Sequence, residues 1–194
     1  MSFSLLCDKN DGALLDAYPE GGPAGWRYLV SQRLASEFPS GGLTMGFSPN
    51  FPDRLKLYDF VDSILEIRIV SERVRRVIQE LTPNDVEFLP VTLVDHKKEI
   101  VARDYFIMNI IADWDVIDLE RSNVRMSHIL KDNISRVWEL RLKEGLSADG
   151  PKLFRPRHLR SYTMVDPIVQ AALTSAKLTG VKFLSAEGWD GKYR

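Results

Sequence analysis

Two stretches of the chain repeat one arrangement of apolar and polar positions. Between Val70 and Leu81 the apolar residues are Val70, Val74, Val77, Ile78 and Leu81; between Val165 and Ala176 they include Val165, Val169, Ala172, Leu173 and Ala176. Both follow i, i+4, i+7, i+8, i+11, the spacing that lays one apolar stripe along a helix. Ser71 and Asp166 stand where an N-cap oxygen accepts from an unpaired helical N–H, and Pro167 fits the first helical position, where a missing donor does no harm. Turn residues end each stretch, Pro83-Asn84-Asp85 in one and Thr179-Gly180 in the other. The phrases VEFLPV (86–91) and VKFLSA (181–186) then alternate with period two, which predicts strands. On that pattern Val86 and Phe88, like Val181 and Phe183, face a core, while Glu87 and Lys182 face water. A shift of 95 residues lays 70–91 on 165–186 without a gap.

The remaining pattern fits around these units. Val91–Asp95 extends the first strand, His96–Glu99 is a polar turn, and Ile100–Ile111 returns as the second arm of a hairpin. A further strand is expected from Ser135 to Leu142, a turn over 145–151, and Lys152–Arg155 leads back towards the second helix. The first sixty residues are rich in glycine and proline, and predict loops, short strands and a helix over Tyr28–Phe38, with Cys7 in the first strand. The expectation is an α+β fold with antiparallel or mixed sheets and two similar helix–strand units, about 70–91 and 165–186. Residues 1–194 are read as one compact domain, in which a loop-rich portion, 1–66, precedes the repeat-containing portion, 67–194.

Composition narrows the class. With 44% hydrophobic and 27% charged residues and a net charge of -1, the chain has the balance of an ordinary folded protein and lacks the overall basic charge of a nucleic-acid binder. Cys7, the single cysteine, excludes an internal disulfide and a cysteine-rich zinc site, so the fold rests on packing. The opening residues lack a basic, long-apolar leader, and no segment has the ~20 apolar residues of a membrane span. A cytoplasmic protein without membrane contact is expected.

Candidate chemistry is sparse. Asp113, Asp115, Asp118 and Glu120 crowd around Trp114, and such carboxylates can hold Ca²⁺ or Mg²⁺ or serve a metal-dependent hydrolase. The glycine and terminal glutamate of a calcium loop are missing, and a solvated acidic turn explains the same residues. His96, His128 and His158 are scattered without zinc-site spacing, and no Gly-x-Ser-x-Gly or phosphate-cradling loop is present. Cys7 reads as a small buried hydrophobe. No catalytic residue, metal ligand set or cofactor is therefore assigned. Between Lys152 and Tyr162, Arg155, Arg157 and Arg160 interleave with aromatic residues, an arrangement that can bind anions or nucleic acid, or simply be solvated. Arg73, Arg75 and Arg76 lie off the helical stripe, towards water.

The order of these pieces carries a resemblance. It runs from Val70-Ser71-Glu72 through VEFLPV and Tyr105–Ile110 into Asp115–Ser122, then to Lys152–Arg155 and Thr179–Phe183. Over about residues 67–186 the chain resembles a bacterial immunity-protein family of polymorphic toxin systems, long known only as a domain of unknown function. The resemblance implies a cytosolic, non-enzymatic protein that neutralises a cognate toxin domain by binding it. It supplies no catalytic residues and leaves the N-terminal third unmatched. On this reading Asp113, Asp115, Asp118 and Glu120 around Trp114 face a basic toxin surface, and Arg155, Arg157 and Arg160 offer an anionic-partner surface.

Overall fold

The computed structural model describes residues 2–192. The first helix–strand unit forms as the spacing predicts: β5 (Arg68–Ser71) enters α1 (Glu72–Leu81), and β6 (Val86–Val94) follows a short turn. β7 (Ile100–Ile110) returns antiparallel to β6 and pairs antiparallel with β5 as well, so it lies between the two strands that flank the helix. Beyond β5 come β4 (Phe60–Ser63), antiparallel to it, and β2 (Leu14–Leu15), parallel to β4; beyond β6 comes β3 (Leu43–Gly46), parallel to it. The six-stranded sheet has the order β2-β4-β5-β7-β6-β3.

The second unit is β12 (Met164–Val165), α2 (Pro167–Ser175) and β13 (Lys182–Ser185). Asp166 caps α2 by accepting from the Val169 N–H at 2.8 Å. Ser71 occupies the matching position before α1, yet its hydroxyl donates to Asp59 at 2.7 Å and makes no cap, because Asp59 is a buried carboxylate that gathers the donors around it. The strand between β12 and β13 is the N-terminal β1 (Ser4–Cys7), antiparallel to both. β11 (Leu153–Pro156) pairs beyond β12, and β8 (Asp113–Trp114) runs parallel to β11, giving β13-β1-β12-β11-β8.

Apart from β3, which only the larger sheet has, the strands of these two sheets are equivalent one for one. Phe106 faces Val70 on one side and Pro90 on the other; Ser4 faces Val165 and Ser185, the same pair moved by 95 residues. Ile107 lies between Ile69 and Leu89 as Leu5 lies between Met164 and Leu184. Outward, Phe60 and Val61 face Val70 and Ile69 as Leu153 and Phe154 face Val165 and Met164. The parallel partners continue the match, Leu14 against Asp62 and Asp113 against Arg155. The repeat therefore exceeds the two units seen in the sequence: it is a five-stranded sheet with one helix, present twice, with β7 as the inner strand of one copy and β1 as that of the other.

One core holds both copies together. Ten of its buried residues form equivalent pairs: Phe60 and Leu153, Val70 and Val165, Val74 and Val169, Ile78 and Leu173, Met108 and Leu6. The outer face of the larger sheet is covered from residues 28–38, where Tyr28, Leu34 and Phe38 pack in one cluster with Met45 of β3 and with Ile69, Leu89, Val91 and Ile107. That of the smaller sheet is covered from 116–142, where Val116, Ile134, Val137 and Leu140 pack on Leu5, Phe154 and Met164. Two expectations change here. Residues 28–38 hold no continuous helix; short 3₁₀ turns at Gly25–Leu29 and Ala35–Glu37 flank Ser31, whose φ of 53° breaks the helical path. Glu87 is buried, not wet, since the 28–38 segment lies over it and the Leu34 N–H donates to its carboxylate together with the Asn109 amide (2.7 Å). The expected strand at 135–142 is β10 (Ile134–Glu139), paired with β9 (Asn123–Met126) in a separate hairpin. No helix of the described residues is long and apolar enough to cross a membrane.

Candidate partner-binding surface

β8 and β11 run side by side, and this brings the acidic stretch after Ile111 against the basic stretch after Leu153. Asp113 meets Arg157 Nε at 3.1 Å and an Arg160 guanidinium nitrogen at 3.3 Å. Asp115 meets Lys143 Nζ at 2.8 Å, His158 Nε2 at 3.6 Å and Arg157 at 3.9 Å. The Lys143 hydrogen bond, helped by the nearby His158 and Arg157, holds the Asp115 carboxyl below the usual range against an opposing push from burial. Asp118 accepts from the N–H groups of Glu120 and Arg121, both at 3.1 Å, shaping the turn on which Glu120 is exposed. Asp113 and Asp115 of the acidic cluster and Arg157, His158 and Arg160 of the basic stretch thus form one lattice of ion pairs, with Lys143 at its edge. Pairs as exposed as these contribute little individually, ~0–1 kcal/mol, but they fix the strand ends that carry them.

Trp114 and Arg155 sit differently. Trp114 is partly buried in an edge-on aromatic group with Phe3 (5.5 Å) and Phe154 (5.2 Å), and a Cβ on Gly150 would lie 2.3 Å from its indole. Its counterpart in the other sheet by register is Leu15, a fully buried residue, so packing accounts for the indole. Arg155 is 1% exposed; its guanidinium donates to the carbonyls of Tyr28 (2.9 Å) and Arg160 (2.5 Å), tying residues 28 and 160 together from within. Burial, with Arg68 nearby, drives its pKa down to about 9. Of the three arginines singled out in this stretch, Arg157 and Arg160 reach the surface. Among the described residues no three His, Cys, Asp or Glu side chains converge as a metal site.

A concavity adjoins this lattice. A cleft of about 680 Å³ lies between β10, the 158–162 turn and residues 189–192, with Leu130, Trp138, Arg160, Tyr162 and Trp189 on its walls. Tyr162 and Trp189 meet edge to face at 4.9 Å, and Trp189 Nε1 donates to the Lys192 carbonyl at 2.9 Å. The β9–β10 loop stands beside it. There Ile129 is 91% exposed and Leu130 59%, with Met126 and Trp138 also exposed. Ser127 organises the loop: its hydroxyl accepts from the N–H groups of Ile129 (3.2 Å) and Leu130 (3.0 Å), and its own N–H donates to the Asn133 carbonyl (2.7 Å). Sequence reasoning passed over this loop. The signal was an apolar doublet, Ile129-Leu130, set inside a polar turn.

No curated protein matches the chain. A family model does, and it reaches well beyond the 67–186 resemblance, taking in most of the N-terminal third whose strands complete both sheets. It is the model of the immunity protein family (Imm11), it matches residues 9–188, and the chain belongs to that family.

Proposed function

We propose that the protein protects a bacterial cell by binding a cognate toxin domain of a polymorphic toxin system, one to one, in the cytoplasm, and blocking it without catalysis. The family match over residues 9–188 carries this reading. The geometry supports it in kind. Asp113 and Asp115, central to the hydrolase alternative, are each engaged by cations of the same chain, an arrangement suited to rigidity more than to turnover. A shared core beneath both sheets gives a pre-organised body, which lowers the ordering cost of association. Co-expression with the toxin encoded in the adjoining reading frame should restore growth, and the purified proteins should co-elute at equal stoichiometry. Loss of growth despite expression, or two separate elution peaks at micromolar concentration, would refute the reading.

A further inference from the structure

The geometry points to the β9–β10 loop, with Trp138 and the adjoining cleft, as the contact through which this chain grips its partner, and to an acidic protein surface bearing an apolar pocket as what it grips. The inference rests on the toxin-binding reading above. Three observations meet at this place. The first is exposure: Ile129 and Leu130 stand outside the core, while Ile134 and Val137 of the same hairpin are buried and fasten it to the sheet. An exposed apolar pair on an anchored, hydrogen-bonded loop has already lost most of the freedom that binding would take away. The second is charge. Arg125, Lys131 and Arg136 surround the apolar tip, and among the described residues none is within ion-pair distance of a carboxylate. Asp132 is the one carboxylate between Asn123 and Trp138, so the tip is cationic on a chain whose net charge is -1. Arg136 also stacks on Trp138 at 5.0 Å, which holds a flat aromatic face at the cleft mouth. The third is redundancy. The hairpin has no counterpart in the other copy of the sheet, where different elements cover the outer face, so the scaffold does not dictate its protruding loop.

A cationic rim around apolar anchors fits a protein pocket ringed by carboxylates, where the anchors set the off-rate and the rim the on-rate. The test uses the full chain and the purified toxin domain from the adjoining reading frame, with affinity, association rate and growth rescue measured in parallel. I129D/L130D should weaken binding at least ~30-fold with an unchanged melting temperature, since both side chains are solvent-facing. R125E/K131E should slow association about tenfold at low salt and much less at high salt. W26D and I168D, at exposed apolar residues elsewhere, should bind as the parent does. Parent-level affinity in I129D/L130D while the parent protein binds and protects overturns this inference alone; failure of the parent to bind overturns the toxin-binding reading as well. If the same substitutions abolish self-association or oligonucleotide retention and spare toxin binding, the loop serves another partner and the inference is overturned.

Discussion

Asp59 offers the sharpest test of how the two copies are joined. Its carboxylate is almost fully buried just before β4, and it accepts from the Thr179 N–H (2.9 Å), the Thr179 hydroxyl (2.8 Å), the Ser71 hydroxyl (2.7 Å) and the Arg73 guanidinium (2.9 Å). The Asp59 N–H in turn donates to the Thr179 hydroxyl at 3.0 Å, and the Phe60 N–H to the Thr179 carbonyl at 3.0 Å. One side chain thus links β4 and α1 of the first copy to the segment between α2 and β13 of the second. Asp59→Ala strands the Thr179 N–H, which cannot reorient, and removes a charged acceptor from two hydroxyls that can. A stranded buried donor costs about 1–3 kcal/mol and each lost bond to a charged group about 1.5–3 kcal/mol, so with hydroxyl reorientation recovering part, the expected loss is about 3–5 kcal/mol. For a chain of this length that lowers the melting temperature by roughly 6–20 °C. Asp59→Asn keeps an acceptor but turns an amide donor towards other donors, and should cost about 2 kcal/mol. Burial pushes the Asp59 carboxyl upward, yet the Thr179 N–H, the Ser71 and Thr179 hydroxyls and Arg73 together outweigh it and hold its pKa below the ordinary value. A depressed pKa in the folded state means that this contribution is complete above the unfolded value, ~3.9, and disappears as pH falls through the folded one. Urea unfolding followed by far-ultraviolet circular dichroism at pH 7 and at pH 3 measures both effects. A loss below 1 kcal/mol for Asp59→Ala at pH 7, with unchanged urea sensitivity, would refute this account of the junction.

Further outcomes follow from the same geometry. Gly180 has φ +81° and a Cβ there would lie 2.4 Å from the Phe60 carbonyl oxygen, whereas Gly145 has φ +69° and open space around it. Gly180→Ala should therefore destabilise by at least about 2 kcal/mol and Gly145→Ala by about 1 kcal/mol in the same thermal melt. Hydrogen bonds from Arg75 and Arg76, against the opposing push of burial, lower the Glu72 pKa to about 2, so its stabilisation is present above ~4.3 and lost as pH falls through about 2. Glu72→Gln should flatten the stability profile across that window, and an NMR titration should place the carboxyl midpoint near 2. The Ala186 N–H donates to the Phe3 carbonyl at 3.0 Å, so a permuted chain that begins at Lys9 and carries residues 2–8 behind a flexible linker after Arg194 should fold with the parent's circular dichroism spectrum. Deleting residues 2–7 without replacement should abolish cooperative unfolding, because it removes the inner strand of the smaller sheet.

What the sequence disclosed was local. The helical stripes of 74–81 and 169–176 and the strands after them are written in residues close together in the chain, and they form where the spacing puts them. The larger duplication was hidden because its completion by Ser4–Cys7 depends on pairing with residues 164–185, and four residues of strand carry no periodic signal. Glu87 reads as solvated by alternation; its burial comes from Leu34 and its neighbours, whose own pattern is irregular. Arg155 reads as surface charge because its neighbours in sequence are charged, while one of its two acceptors, the Tyr28 carbonyl, lies in another part of the chain. The acidic and basic stretches were each visible as clusters, but their mutual neutralisation is a product of the parallel β8–β11 pairing, which no local rule anticipates.

Comparison of the two copies separates what the fold needs from what it merely permits. The shared parts are the sheets, the helices and the paired core residues between them, and every one of those pairs is buried on both sides of the comparison. The unlike parts are the segments inserted between β2 and β4 and between β8 and β11, which cover the outer faces in different ways. The first does so with 3₁₀ turns, its β3 joining the edge of the sheet itself; the second uses the β9–β10 hairpin, whose tip extends past the residues it buries. An element that only had to cover a sheet would gain nothing from holding Ile129 in water, where its apolar side chain contributes no burial. A rigid double scaffold with one overextended insertion is what recognition by pre-organised contact requires, because the body resists deformation while the tip is free of structural duty. The same division explains where substitutions should be felt: at Asp59 and Gly180 in stability, and at Ile129 and Leu130 in affinity alone.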